Sequence, residues 1–306
     1  MSNLEKYYDS IENIDRACST VIENSITIFL PFKRIDKTDI YKKFKKNNNV
    51  IDIENSFFKK VECKGRLLGQ IHKDILEILL SMSENTTYSK DTARFKITTT
   101  AYEITKKLKK NIGKKQWIIK KIEEIAECRI KIFYTTLNND NETFNFNFIS
   151  SIRTVNENEI EINFTQEYTY FLIQNELLDY KNYIQSIMEL EKDIKKIQRT
   201  YKKRRNLDGS GSYGLKRGIN TEFIKSIVRY MLTHNGKNSQ IGIDTLINKM
   251  KLNKIMSNRE LEENLFDLRR EQVQELLKNK FGITLTADKQ TLTFNSIHPK
   301  YHIIKN

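Results

Sequence analysis

The sequence predicts a helix-rich α+β protein: two tandem winged-helix domains joined by a charged helix and a Gly/Ser linker. Three observations carry this prediction. The order helix, helix, helix, strand, loop, strand is legible twice, between Leu67 and Ile152 and again between Thr221 and Phe294. A charged stretch followed by Gly209, Gly211 and Gly214 among serines separates the two copies. The chain has 306 residues, which exceeds the roughly 100–200 residues of one typical domain.

Residues 1–60 read as an N-terminal extension. A short helix is predicted near Leu4 to Cys18 and a strand from Ser25 to Leu30, ended by Pro31. The basic run Lys33 to Lys46, interleaved with Ile35, Tyr41 and Phe44, fits a solvated surface segment or a DNA-contacting arm.

The first domain spans 61–188. Ile71, Ile75, Leu76, Leu79 and Leu80 predict its first helix, closed by the polar run Ser83 to Thr87. Thr98, Thr99 or Thr100 can cap the second, with Tyr102, Ile104 and Leu108 expected inward. After a turn at Asn111 to Gly113, Ile118, Ile122, Ile125 and Ala126 recur at helical spacing while lysines crowd the N-terminal half. At Arg129 the period becomes two, with Ile130, Ile132 and Tyr134 on one side. Residues 138–141 form a loop, and the return strand is expected within Thr143 to Ile152, where Phe144, Phe146 and Phe148 alternate. A strand over Glu159 to Phe164 and a helix over Gln166 to Leu177, capped by Thr165, complete the unit.

Residues 189–218 are the charged helix and flexible linker, and 219–306 the second domain. There Phe223, Ile224, Ile227, Val228 and Met231 predict the first helix, and Asp244 is a candidate cap for the second. Ser257 and Glu260 have capping-box spacing and open a third helix carrying Leu261, Leu265, Leu268, Leu276 and Leu277. Residues 283–294 alternate around a tip at Ala287 to Gln290, as a wing does.

Lys and Arg number 53 against 39 Asp and Glu, a net charge of +14. An acidic partner follows, nucleic acid ahead of an anionic membrane surface. No apolar stretch approaches the roughly 20 residues of a membrane span, and the N-terminus has no apolar signal region, so a cytoplasmic protein is expected. Cys18, Cys63 and Cys128 are odd in number and far apart, as buried thiols would be.

Enzyme signatures are weak. Gly209 to Gly214 fits G-x-G-x-x-G by letters but follows a basic run instead of a buried strand, and no phosphate-binding G-x-x-x-x-G-K-[ST] occurs. His298 and His302 have metal-pair spacing, yet Pro299 lies between them and no carboxylate falls in register. No catalytic residue, cofactor or metal is therefore expected.

DNA-contacting candidates cluster at the starts of the two third helices, where base edges come within reach. They are Lys114, Lys115, Gln116 and Lys120 in the first unit. In the second they are Lys254, Ser257, Asn258 and Arg259, then Arg269 and Arg270, with Lys289 at the wing tip. Asn258 and Arg259 carry the bidentate groups that read adenine and guanine, whereas the lysines suit phosphates.

Thr99 to Thr105, Glu161 to Tyr168 with Tyr183 downstream, and Phe223 to Leu232 resemble corresponding passages of the iteron-binding, TrfA-like plasmid replication initiators with tandem winged-helix domains. The resemblance covers about Leu67 to Phe294, and departs from the group in the charged helix and linker at 189–218. It implies binding to double-stranded origin repeats without catalysis, a homodimer that represses its own promoter, and recruitment of the host initiator and replicative helicase. The alternatives are a transcriptional repressor with the same two domains and a mobile-element nuclease or relaxase.

Overall fold

The computed structural model describes residues 18–82, 86–89, 94–110, 115–135, 141–156, 158–207, 218–234, 239–298 and 302–304. The helix expected near Leu4 and the Gly/Ser run lie outside them. The chain opens with β1 (Ser19–Thr20) and α1 (Val21–Ser25). The Thr20 hydroxyl accepts from the Glu23 amide while the Glu23 carboxylate accepts from the Thr20 amide. This capping box commits Val21 to Ser25 to a helical turn, so the strand expected over Ser25 to Leu30 shrinks to β2 (Phe29–Leu30). A 3₁₀ turn (Ile35–Lys37), α2 (Asp39–Lys46), β3 (Val50–Ile53) and β4 (Lys60–Lys64) follow.

Residues 18–60 are not a separate extension. The α2 helix buries Ile40 and Phe44, β2 pairs in parallel with β5 (Leu68–Gly69), and the β3–β4 hairpin continues a sheet of the first unit. The basic run is amphipathic because it has a core to face.

The first unit's helices are α3 (Gln70–Leu80), α4 (Ala101–Leu108) and α5 (Lys115–Ala126), which pack on one another. Between α3 and α4 run β6 (Thr86–Ser89) and β7 (Arg94–Thr100), so part of the expected polar closure is strand. Thr100 supplies the cap of α4, and Ala101, Ile104 and Leu108 are buried. Tyr102, expected inward, is 73% exposed. It sits about 200° around the helix from Ile104, on the opposite face.

After α5 come β8 (Arg129–Thr135), β9 (Asn141–Asn147), β10 (Ile149–Thr154) and β11 (Glu159–Phe164). The single return strand predicted through Phe148 is two strands in different sheets, ordered β3-β4-β8-β9 and β10-β11-β7-β6. The switch occurs at Phe148, where the Thr165 amide and hydroxyl bond to the carbonyls of Phe148 and Asn147. The Phe148 ring is buried against Phe29, Phe146 and Tyr168. Thr165 caps α6 (Gln166–Gln174), which ends sooner than predicted because β12 (Leu177–Asp179) pairs with β1. The charged helix is α7 (Lys181–Leu207), which starts eight residues before 189.

The second unit comprises α8 (Thr221–Met231), β13 (Ser239–Gly242), α9 (Ile243–Lys249), α10 (Leu252–Ile255), α11 (Asn258–Leu268), α12 (Glu271–Phe281), β14 (Ile283–Leu285) and β15 (Thr291–Phe294). Phe223, Ile224, Ile227, Val228 and Met231 are all buried, as the sequence predicts. Gly242, not Asp244, is the N-cap of α9, because the chain enters that helix directly from β13. In the sheet β13-β15-β14 the strand before the helices pairs with the second strand of the hairpin, which is winged-helix geometry. A last strand, β16 (His302–Ile304), returns to β12.

The two units meet through α3 and α8, and the contact is charged. Asp74 pairs with Lys225 and, at 2.7 Å, with Arg229. Arg229 also pairs with Glu77 at 2.6 Å and donates to Gln70. All these side chains are buried. Burial opposes ionisation of Asp74, but the Lys225 and Arg229 cations hold its carboxyl below the usual range.

Candidate nucleic-acid interface

The third helix predicted to run from Ser257 through Leu277 is two helices. It breaks at Arg269 and Arg270, and α12 restarts with Arg270 as its N-cap. Leu261, Leu265 and Leu268 keep one helical phase, but the next buried residue is Val273, five positions on, followed by Leu277 and Phe281. That five-residue step is the signal of the break. The helix leading straight into the hairpin is therefore α12.

Gly282 makes that junction with φ +71°, and a Cβ there would lie 1.8 Å from the Asn295 carbonyl oxygen. Only glycine fits. The exposed residues of α12 include Glu275, Lys278 and Asn279. The sequence does not single these out, because an unbroken helix places the reading end at 257–259. On its other side α12 is seated on α7. Lys280 pairs with Glu189 at 2.8 Å and Asp193 at 2.7 Å, and Phe281 stacks on Tyr183.

The residues predicted from sequence separate into groups. Ser257 forms the predicted capping box with Glu260, so its hydroxyl serves the helix end. Lys254 and Ser257 line a cleft of about 440 Å³ that also holds Asp39, Asp52, Glu54 and Glu260. Asp39 is paired with Lys42 and Asp52 with Lys60, which leaves Glu54 and Glu260 to oppose a phosphate there. Asn258 and Arg259 are exposed one step along, and Arg259 pairs with Glu263 at 3.0 Å. Arg270 is tied to Asp267 at 2.8 Å and lies over the Phe266 ring, and Arg269 is half-buried beside it. Lys289 is exposed at the hairpin tip with φ +58°.

In the first unit Lys114 lies outside the described residues. Gln116 and Lys120 are exposed on α5, and Lys115 is half-buried. The inward cation of this helix is spent, since Lys121 binds Glu124 at 2.6 Å, beside Arg66 at 2.6 Å and His72 at 2.7 Å. Burial opposes the Glu124 charge, but the hydrogen bonds from His72 and Lys121 lower its carboxyl to about 2. Burial also depresses the His72 imidazole below its usual range. The buried carboxylate thus holds α5 against α3 and leaves only its outer face for a partner.

A broader cationic surface lies between α4 and α7, where a trough of about 1310 Å³ opens beside the exposed Tyr102. The two walls are not legible as a pair in the sequence, because α4 and α7 are far apart in the chain. Among the described residues no helix is long and apolar enough to cross a membrane.

No protein-family model matches the chain, and no curated protein does. Among solved structures, a crystal structure of RctB domains 2–3 is similar at 10% identity and a TM-score of 0.39, covering 72% of this chain and 77% of that one. A second crystal structure of RctB domains 2 and 3 is similar at 10% identity and a TM-score of 0.43, covering 83% and 88%.

Proposed function

We propose that the chain is a sequence-specific double-stranded DNA-binding protein that initiates plasmid replication at repeated origin sites. The observation that carries the reading is the second unit, where α12 runs through Gly282 into a hairpin with an exposed tip and presents Lys278 and Asn279 outward. A helix so placed suits a major groove, with the hairpin tip at Lys289 beside it on phosphate. The net charge of +14 supports an acidic partner. The resemblance to tandem winged-helix initiators supports initiation over repression, and extends the proposal to a homodimer and to contacts with the host initiator and helicase.

The test is a gel-shift titration against the DNA flanking the gene, with salt varied. Each phosphate contact contributes roughly −0.9 to the slope of log K against log salt. Asn279→Ala should weaken and broaden the preference by about 1–3 kcal/mol if it reads adenine. Lys115→Ala should weaken all duplexes alike. Equal affinity for cognate and random duplex would overturn the reading, and loss of origin-dependent plasmid maintenance in the variant would separate initiator from repressor.

A further inference from the structure

We propose that the trough between α4 and α7 binds single-stranded DNA, with Tyr102 as a stacking platform for a base. The inference rests on the nucleic-acid reading above and adds a second site to it.

Both walls are cationic. Lys106 and Lys109 stand on α4 and at its C-cap, and Lys192, Lys196 and Arg199 stand on α7. The α7 residues recur at i, i+4 and i+7, so they follow one face for roughly 10 Å of helix. Lys106, Lys109, Lys192 and Arg199 form no ion pair among the described residues. Glu191, the carboxylate that lines the trough, is held by Lys110 at 3.0 Å and Lys195 at 2.7 Å, which cancels the repulsion it would exert. The surplus positive charge is therefore turned into the trough, and it suits a phosphodiester backbone.

Tyr102 decides which kind of backbone. The residue is 73% exposed on the trough wall, although the core face of α4 is filled by Ala101, Ile104 and Leu108. An exposed ring beside uncompensated cations is the combination that receives unpaired bases, since every base offers a π-face. A duplex keeps its bases stacked inside and leaves such a ring without a partner. The trough is also concave, which suits one flexible strand laid between two helices.

The test uses the full chain and fluorescence anisotropy with labelled oligo(dT) and a mixed-sequence duplex of equal length. The parent should bind oligo(dT), and Tyr102→Ala should weaken that binding roughly 5- to 100-fold while leaving duplex affinity within about twofold. Tyr102→Phe, which keeps the ring, should retain it. Lys109→Glu combined with Lys192→Glu should reduce the single-strand salt slope by about 1.4, since two phosphates are then without their cations. Duplex binding without oligo(dT) binding overturns this proposal and leaves the duplex reading standing. Equal losses on both DNAs in Tyr102→Ala, or a Tyr102→Phe variant as weak as Tyr102→Ala, overturn it as well. Absence of binding to either DNA overturns both.

Discussion

Replacing Arg229 with alanine should cost the protein about 3–5 kcal/mol, because it strands a buried carboxylate. Arg229 Nε and Nη2 both donate to Glu77, at 2.7 and 2.6 Å, and Nη2 also reaches Asp74 at 2.7 Å. In the variant Lys225 still faces Asp74, but among the described residues Glu77 keeps only the hydroxyl of Tyr180. Lys225→Met should be milder, since Asp74 then retains Arg229. Urea denaturation followed by circular dichroism at about pH 7 measures the loss, which is a large part of the roughly 5–15 kcal/mol of a typical domain. A difference under about 1 kcal/mol at neutral pH refutes the argument that α3 and α8 are joined by an obligatory charge network.

Gly282→Ala should destabilise the second unit by on the order of 1–3 kcal/mol or more, since the left-handed backbone and the Asn295 carbonyl at 1.8 Å leave no room for a methyl group; a thermal melt indistinguishable from the parent's would contradict it. Glu124, with its folded carboxyl at about 2, contributes stability that is fully present above about 4.3 and is lost as pH falls toward 2. Glu124→Gln should therefore differ from the parent by at most about 3 kcal/mol near neutrality and converge with it across that acidic window; parallel pH–stability curves would count against the assignment.

The parts of the fold that were legible are those in which local chemistry and burial agree. Ser257 with Glu260, Thr165 before α6, and the run from Phe223 to Met231 each read correctly, because a cap or an apolar stripe is a short-range signal. What failed was set by distant partners. Residues 50–53 and 60–64 belong to the sheet of β8 and β9, but a hairpin gives no local sign of which sheet it extends. Phe144, Phe146 and Phe148 alternate without interruption, yet the strand ends at Asn147 because the Thr165 hydroxyl docks there from 18 residues away. The site was less legible than the fold for a related reason. The start of a single long helix is where base-reading residues are expected, and only the five-residue step from Leu268 to Val273 separates that helix from α12. Tyr102 resembles core by composition, although its offset from Ile104 puts it outside.

The charged helix illustrates how one reading of a charge run conceals two roles. Glu189, Glu191 and Asp193 lie within a little over one turn of α7, and each is engaged by a lysine from another element or from the helix itself. Glu191 meets Lys110 just beyond α4, whereas Glu189 and Asp193 meet Lys280 of α12. The acids thus anchor α7 to both units, assisted by buried Ile184, Ile187, Leu190 and Ile194. The cations of the same stretch, Lys192, Lys196 and Arg199, face outward. A solvated spacer would have no reason to sort its charges in this way. Because the same helix seats α12 and forms a wall of the trough, the two share one support, and a shift of α7 would displace both.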